Sequence, residues 1–268
     1  MQESAHLRIC QEFGVATVWL GFPGEPVNAL DLARLKELDA TISALEANPF
    51  VQQVVIRSAK PAGFCAGLHP AAVRSLANAS DRAAFSWFGQ QVFGRIAALH
   101  ATTIAFIEGP CLGAGFELAL ACDFRLCVAG LPNHIGFPHE RPAFGGSVRL
   151  PDWIAKSLVQ SRRTLSGREA RRLGIVHEAF CERRAKIELR TFLNRFESRR
   201  RVPRWFDYAG LAEERRAFAA DPGRPWRAIE PLHPEIALAR GFITPLEFEQ
   251  LPKPDAPFEH ASGFRRAA

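Results

Sequence analysis

The chain has 268 residues and a mass of 29.7 kDa. Its 47% hydrophobic and 23% charged residues suit one large globular domain or two small ones, and exclude a disordered, collagen-like or coiled-coil chain. The net charge is +6, carried by 29 arginines and only five lysines. That balance permits anionic partners without naming one.

Leu7–Cys10 and Val15–Leu20 read as two strands around Gly14. A Gly/Pro-rich turn follows over residues 21–26. Asn28 is expected to open a helix whose apolar positions Leu35, Leu38, Ile42 and Leu45 recur every three or four residues, and Pro49 is expected to end it. The β-branched run Val54-Val55-Ile56 predicts a buried strand. Strand, helix, strand is the order of an α/β layered fold.

A small-residue loop, Gly63 to Pro70, comes next. Residues 81–99 look helical, Thr103–Ile107 reads as a strand, and a second small-residue loop, Gly109 to Gly115, runs straight into the apolar segment Phe116–Ala121. Residues 123–128 are strand-like. Ser166-Gly167-Arg168-Glu169 has capping-box spacing, with the helix expected to stop near Gly174. Residues 181–200 can form one amphipathic helix through Ile187, Leu189, Phe192, Leu193 and Phe196. From Pro203 onward the chain holds nine of its 19 prolines, which reads as an extension of short helices and loops. The expected division is a core over residues 1–200 and a Pro-rich extension over residues 201–268.

Six cysteines (10, 65, 111, 122, 127 and 181) form no Cys-x-x-Cys pair, and no Cys/His cluster has metal spacing. Buried free thiols in a reducing, cytoplasmic setting are expected. The start lacks the layout of a signal peptide, and no apolar run of about 18 residues is present, so no membrane partner is expected. The densest basic run, Arg199-Arg200-Arg201 with Arg204, reads as a solvated helix end. With no zinc-finger spacing and no RNP-type aromatic motif, nucleic acid is not an expected partner.

Both small-residue loops lie between a strand and a helix. A loop entering a helix leaves backbone N–H groups free, small residues let a ligand approach them, and two such N–H groups converging from separate loops would make an oxyanion hole. Glu117 sits near the start of an otherwise apolar helix. A carboxylate there is either a structural acid near a helix N-terminus or a general acid or base beside that hole.

The loops carry a resemblance. Pro61-Ala62-Gly63-Phe64-Cys65-Ala66-Gly67-Leu68 resembles the "FCAGAD" loop of the enoyl-CoA hydratase/isomerase (crotonase) family. Residues 107–123 resemble its "NGxAxGGGxELAxxCD" segment. Asn28-Ala29-Leu30 and the helix from Leu165 to Val176 add to the likeness, which covers residues 7–180. The resemblance implies an α/β crotonase-like spiral of ββα units with a C-terminal helical extension, assembled as a homotrimer or homohexamer. It implies acyl-CoA thioester substrates with coenzyme A as part of the substrate, no tightly bound cofactor and no metal. The backbone N–H groups of Leu68 and Ala114 fall on the oxyanion-hole donors, and Ala66, Gly67, His69 and Gly113 on the substrate-binding surface. Glu117 falls on the first catalytic glutamate.

The second glutamate is where this chain departs. The family reads "FGxPExxLGxxPGxGGTxRL"; here residues 135–150 are about four residues shorter before Gly145-Gly146. Anchoring on Pro138 selects His139 for the acid position, whereas residue type selects Glu140. His69 replaces the acid that usually follows the first loop, either as a loop-surface histidine or as an acid/base group. The reaction implied first is hydration of a trans-2-enoyl-CoA. Isomerisation, other enolate chemistry such as decarboxylation or thioester hydrolysis, and non-catalytic acyl-CoA binding stand as alternatives.

Overall fold

The first two strands set the edge of the fold. β1 (Leu7–Glu12) and β2 (Val15–Leu20) pair antiparallel through a two-residue turn, Phe13-Gly14, in which both residues have positive φ. That is the turn whose twist matches a hairpin. The computed structural model describes residues 7–22, 26–76, 78–130, 134–138 and 142–196.

From β2 onward the sheet is parallel. β3 (Gln53–Ser58), β4 (Thr102–Ile107), β6 (Phe124–Ala129) and β9 (Glu178–Cys181) add in turn, giving the order β1-β2-β3-β4-β6-β9. The connecting segments supply α1 (Leu32–Glu46), α2 (Pro70–Ser75), α3 (Ala79–Ala98), α4 (Ala114–Leu120), α5 (Asp152–Ser161) and α6 (Gly167–Arg172). A second, small sheet forms from β5 (Cys111–Leu112), β7 (Ile135–Gly136) and β8 (Thr164–Leu165). Central strands are buried on both faces, as parallel strands covered by helices must be.

The larger core fills one face of the main sheet. Val54, Ile56, Ala105, Ile107 and Cys127 meet Leu35, Leu38 and Ile42 of α1, Val92, Phe93 and Ile96 of α3, and Phe116, Leu118 and Ala119 of α4. On the other face, Val55, Ile104, Phe106, Leu126 and Val128 meet Ala185, Leu189 and Phe192 of α7 (Ala185–Phe196). Among the described residues no helix is long and apolar enough to cross a membrane, and no group of three acidic, His or Cys side chains is placed to hold a metal ion.

Most predicted elements form, with three differences. Asn28 does not open α1: Asp31 caps it, accepting from the Arg34 N–H at 2.8 Å. The segment predicted as one helix from residue 181 instead ends β9 at Cys181, passes through a 3₁₀ turn (Glu182–Arg184) and starts α7 at Ala185. Ile187 is 64% exposed, so the face of α7 that packs is set by Ala185, Leu189 and Phe192. The Ser166 capping box is present, and Gly174 stands just past its helix with φ +69°. The expected extension over residues 201–268 lies outside the described residues.

Candidate active site

The site begins with two loops that leave the C-terminal ends of neighbouring parallel strands, β3 and β4. Asn28 organises the first. It is fully buried, its Nδ2 donating to Leu20 O (3.1 Å), Ser58 Oγ (2.9 Å) and Phe64 O (3.0 Å) while its Oδ1 accepts from Phe22 N–H (3.1 Å). Its own carbonyl accepts from Ala66 N–H at 2.8 Å. Two residues on, Leu30 donates to Gly67 O and accepts from His69 N–H, both at 2.7 Å. This is a parallel bridge between residues 30 and 68, so the Leu68 N–H points away from Leu30.

The second loop lies on that far side. Pro110 O accepts from Phe64 N–H (2.9 Å) and Cys65 N–H (3.1 Å), and Leu112 N–H donates to Cys65 O (2.9 Å). The crossing is too tight for side chains: a β-carbon on Gly63 would sit 2.7 Å from the Pro110 ring, and one on Gly115 2.3 Å from Cys65 O. A β-carbon on Gly67 (φ +104°) would lie 3.5 Å from the Ala114 nitrogen. Ala114 is the first residue of α4, so its N–H has no partner in its own helix. Among the described residues neither the Leu68 N–H nor the Ala114 N–H makes a hydrogen bond. Ala66, Leu68, Leu112 and Gly113 are only half-buried, so the place where the loops meet reaches the surface.

Glu117 lies one turn into α4 and is fully buried. Its Oε1 accepts from the N–H groups of Phe144 (2.9 Å) and Gly146 (2.7 Å), its Oε2 from Ala143 N–H (2.9 Å). An ionised carboxylate offers about four acceptor positions, so one, on Oε2, is left open. Burial pushes its carboxyl up to about 7, against the pull of the three amides and the Arg149 charge.

The segment carrying those amides is itself clamped. The Phe144 ring packs on Phe85 (5.4 Å) and Phe93 (5.1 Å) of α3. Gly89 leaves room for that ring, since a β-carbon there would fall 2.4 Å from it. Ser86 Oγ donates to Ala143 O at 2.5 Å, and Gly146 rests against the Glu117 stem.

The predicted site residues divide accordingly. Ala66, Gly67, Leu68, Gly113, Ala114 and Glu117 belong to the two laced loops and the helix that follows them. His69 sits at the end of the first loop, where its Nδ1 accepts from Ala71 N–H (3.2 Å) and caps α2. His139 and Glu140 lie outside the described residues. Sequence reasoning did not assign Asn28 its bracing role, nor Phe144 and Gly89 theirs. For Asn28 the Asn28-Ala29-Leu30 likeness was the available signal; Phe144 and Gly89 offer no local one.

Comparison with known proteins shows what the chain is similar to. The enoyl-CoA hydratase/isomerase family profile matches residues 11–201. The fatty acid oxidation complex subunit alpha of Idiomarina loihiensis is 31% identical over 185 residues, 66% of this chain and 26% of that protein. Its Vibrio cholerae counterpart is 35% identical over 169 residues, 59% of this chain and 24% of that protein. The chain thus spans about a quarter of the length of these curated relatives. Among solved structures, an enoyl-CoA hydratase from Geobacillus kaustophilus superposes with a TM-score of 0.68 at 27% identity, covering 73% of this chain and 75% of that one. One from Bacillus anthracis gives 0.66 at 25%, covering 72% and 77%. With the laced glycine loops, the crotonase-type fold and a profile match over most of its length, the chain belongs to the enoyl-CoA hydratase/isomerase family of enzymes.

Proposed function

We propose that this protein hydrates a trans-2-enoyl-CoA to a 3-hydroxyacyl-CoA. One observation carries the reading: the Leu68 and Ala114 N–H groups stand unpaired where the two loops meet, beside the helix that holds Glu117. A thioester oxygen between them gains two fixed donors as negative charge develops. Losing one donor of this kind costs roughly 10²–10³ in rate. Ala66, Gly67 and Gly113 would let the thioester approach the backbone, with His69 at the edge of the same surface. Coenzyme A is then part of the substrate and not a resident cofactor.

Glu117 is the base in this scheme. A carboxyl near 7 is poised between its two forms at neutral pH, and the open position on Oε2 can hold the attacking water. The proton for the α carbon comes from His139 or Glu140. The test is crotonyl-CoA hydration by the wild type and by Glu117→Gln. Loss of turnover in the variant is expected, and full turnover would overturn the assignment.

A second reading has its own support. The segment that carries the family's second glutamate is about four residues shorter here, which suits a one-base reaction such as shifting a 3-enoyl double bond. A panel of 2-enoyl-, 3-enoyl- and malonyl-type CoA esters separates the two. The trimeric or hexameric assembly belongs to the same proposal and is measured by light scattering. A cytoplasmic setting accords with six free cysteines, four of them buried.

A further inference from the structure

Arg57 and Glu108 face each other at the ends of β3 and β4. Arg57 Nε donates to Glu108 Oε2 (3.1 Å), and Nη2 donates to Oε1 (2.6 Å) and Oε2 (2.7 Å). The side chains are 13% and 27% exposed. The guanidinium also lies 4.4 Å from the centre of the Trp19 ring and 4.9 Å from that of Phe106, which fixes its plane. Its fork is spent on Glu108, so Arg57 is not a spare cation for a phosphate.

The position of the pair gives it a consequence for the site. Arg57 is one residue before the end of β3, and Glu108 is the first residue after β4. The pair therefore ties together the roots of both loops. Directly after Glu108 come Gly109, where a β-carbon would fall 2.8 Å from the Gly63 Cα, and Pro110, whose carbonyl takes two amides of the first loop. Ala114 follows four residues later with no slack, because Leu112 is bonded to Cys65 and Gly113 to Gly136 O. In the "NGxAxGGGxELAxxCD" pattern this position is Asn, and here it is Glu108.

We propose that the Arg57–Glu108 pair is a positioning device for the oxyanion hole, setting the Ala114 N–H relative to the Leu68 N–H. A bidentate arginine–carboxylate contact fixes angle as well as distance, which a neutral side chain does not. The inference rests on the oxyanion reading above.

The experiment compares Glu108→Gln, Arg57→Met, Arg57→Lys and the double variant carrying both Glu108→Gln and Arg57→Met with the wild type. It measures kcat and KM for crotonyl-CoA, together with the infrared carbonyl stretch of bound, ¹³C-carbonyl-labelled butyryl-CoA, which is saturated and does not react. In the wild type the stretch moves to lower frequency on binding. Each single substitution lowers kcat about tenfold with KM little changed, because a small misplacement of a catalytic group costs transition-state stabilisation more than binding. Each also shrinks the carbonyl shift, and the double substitution is no worse than either single one. Arg57→Lys, which keeps the charge and loses the fork, behaves like Arg57→Met. Variants that melt earlier but keep the wild-type kcat and carbonyl shift overturn the positioning role alone. A wild type that binds butyryl-CoA with no carbonyl shift overturns the oxyanion reading and this proposal with it.

Discussion

Replacing Glu117 by Gln strains the site at its most constrained point. The carboxylate accepts three backbone N–H groups, two on one oxygen and one on the other. An amide has one oxygen. If that oxygen keeps Phe144 and Gly146, the new NH₂ group faces the Ala143 N–H, donor against donor. A buried amide left without its acceptor costs roughly 1–3 kcal/mol. Protonated Glu117 avoids this, because a hydroxyl at Oε2 still has a lone pair for Ala143. The wild-type penalty is of a different kind and depends on pH. Burial lifts the carboxyl from 4.5 to about 7. A group whose folded value is raised contributes its stability fully below the unfolded value and loses it as pH rises through the folded one. From about pH 4.5 to about pH 7 the wild type therefore loses about 3 kcal/mol through this residue. Gln does not titrate. Near pH 5 the variant is thus expected to be the less stable protein by roughly 1–3 kcal/mol, and near pH 8 that deficit is gone or reversed. Urea unfolding of both proteins across this range, compared as a difference so that other titrating groups cancel, measures it. A difference constant to within about 0.5 kcal/mol would refute the account of how Glu117 is held.

Three further outcomes follow from the same geometry. If ionised Glu117 is the base, kcat/KM for crotonyl-CoA hydration rises with pH through about 7, the free enzyme's value, and a flat profile across it counts against the assignment. Gly115→Ala pushes a methyl group against Cys65 O and parts the loops, lowering kcat/KM about 10²-fold or more, whereas Gly174→Ala, with φ +69° and open space, costs about 1 kcal/mol in stability with turnover unchanged. Asn28→Leu leaves the Phe22 N–H and the Phe64 carbonyl unpaired and destabilises by roughly 3 kcal/mol in urea unfolding, with kcat falling as the first loop loosens.

The legible part of the fold was the part that repeats a local rule. The alternation of Val15–Leu20, the spacing of Leu35, Leu38 and Ile42, and the Ser166–Glu169 box each need only neighbours within a few residues, and each formed. Asn28 shows where that reasoning stops. A polar residue before an apolar-periodic segment reads as a helix cap, yet Asp31 stands three residues on and takes the role. The Asn28 side chain is then free to bond partners up to 36 residues away. Nothing local distinguishes a cap from a buried brace, because the difference lies in what folds over it. The Phe144 ring in the gap at Gly89 and the Arg57–Glu108 pair are illegible for the same reason: their partners are 55 and 51 residues apart, and either member alone is ordinary. The glycine loops stand between these cases. Their small residues announced a close backbone approach, and only the fold shows that they approach each other.

The arginine excess changes meaning once the contacts are visible. Arg34 reaches Ala29 O and Asp31, Arg95 joins Asp39 and Glu46, Arg57 grips Glu108, and Arg125 donates to the Ile175 and Cys122 carbonyls from a buried position. Burial pulls the Arg125 guanidinium down only to about 10, so it stays charged. A lysine in any of these places would offer one compact ammonium where a planar fork is used to span two acceptors or to lie on an aromatic ring. These cations are spent holding helices and loops together. An Arg→Lys exchange at Arg57, Arg95 or Arg125 therefore disturbs the fold's joints first.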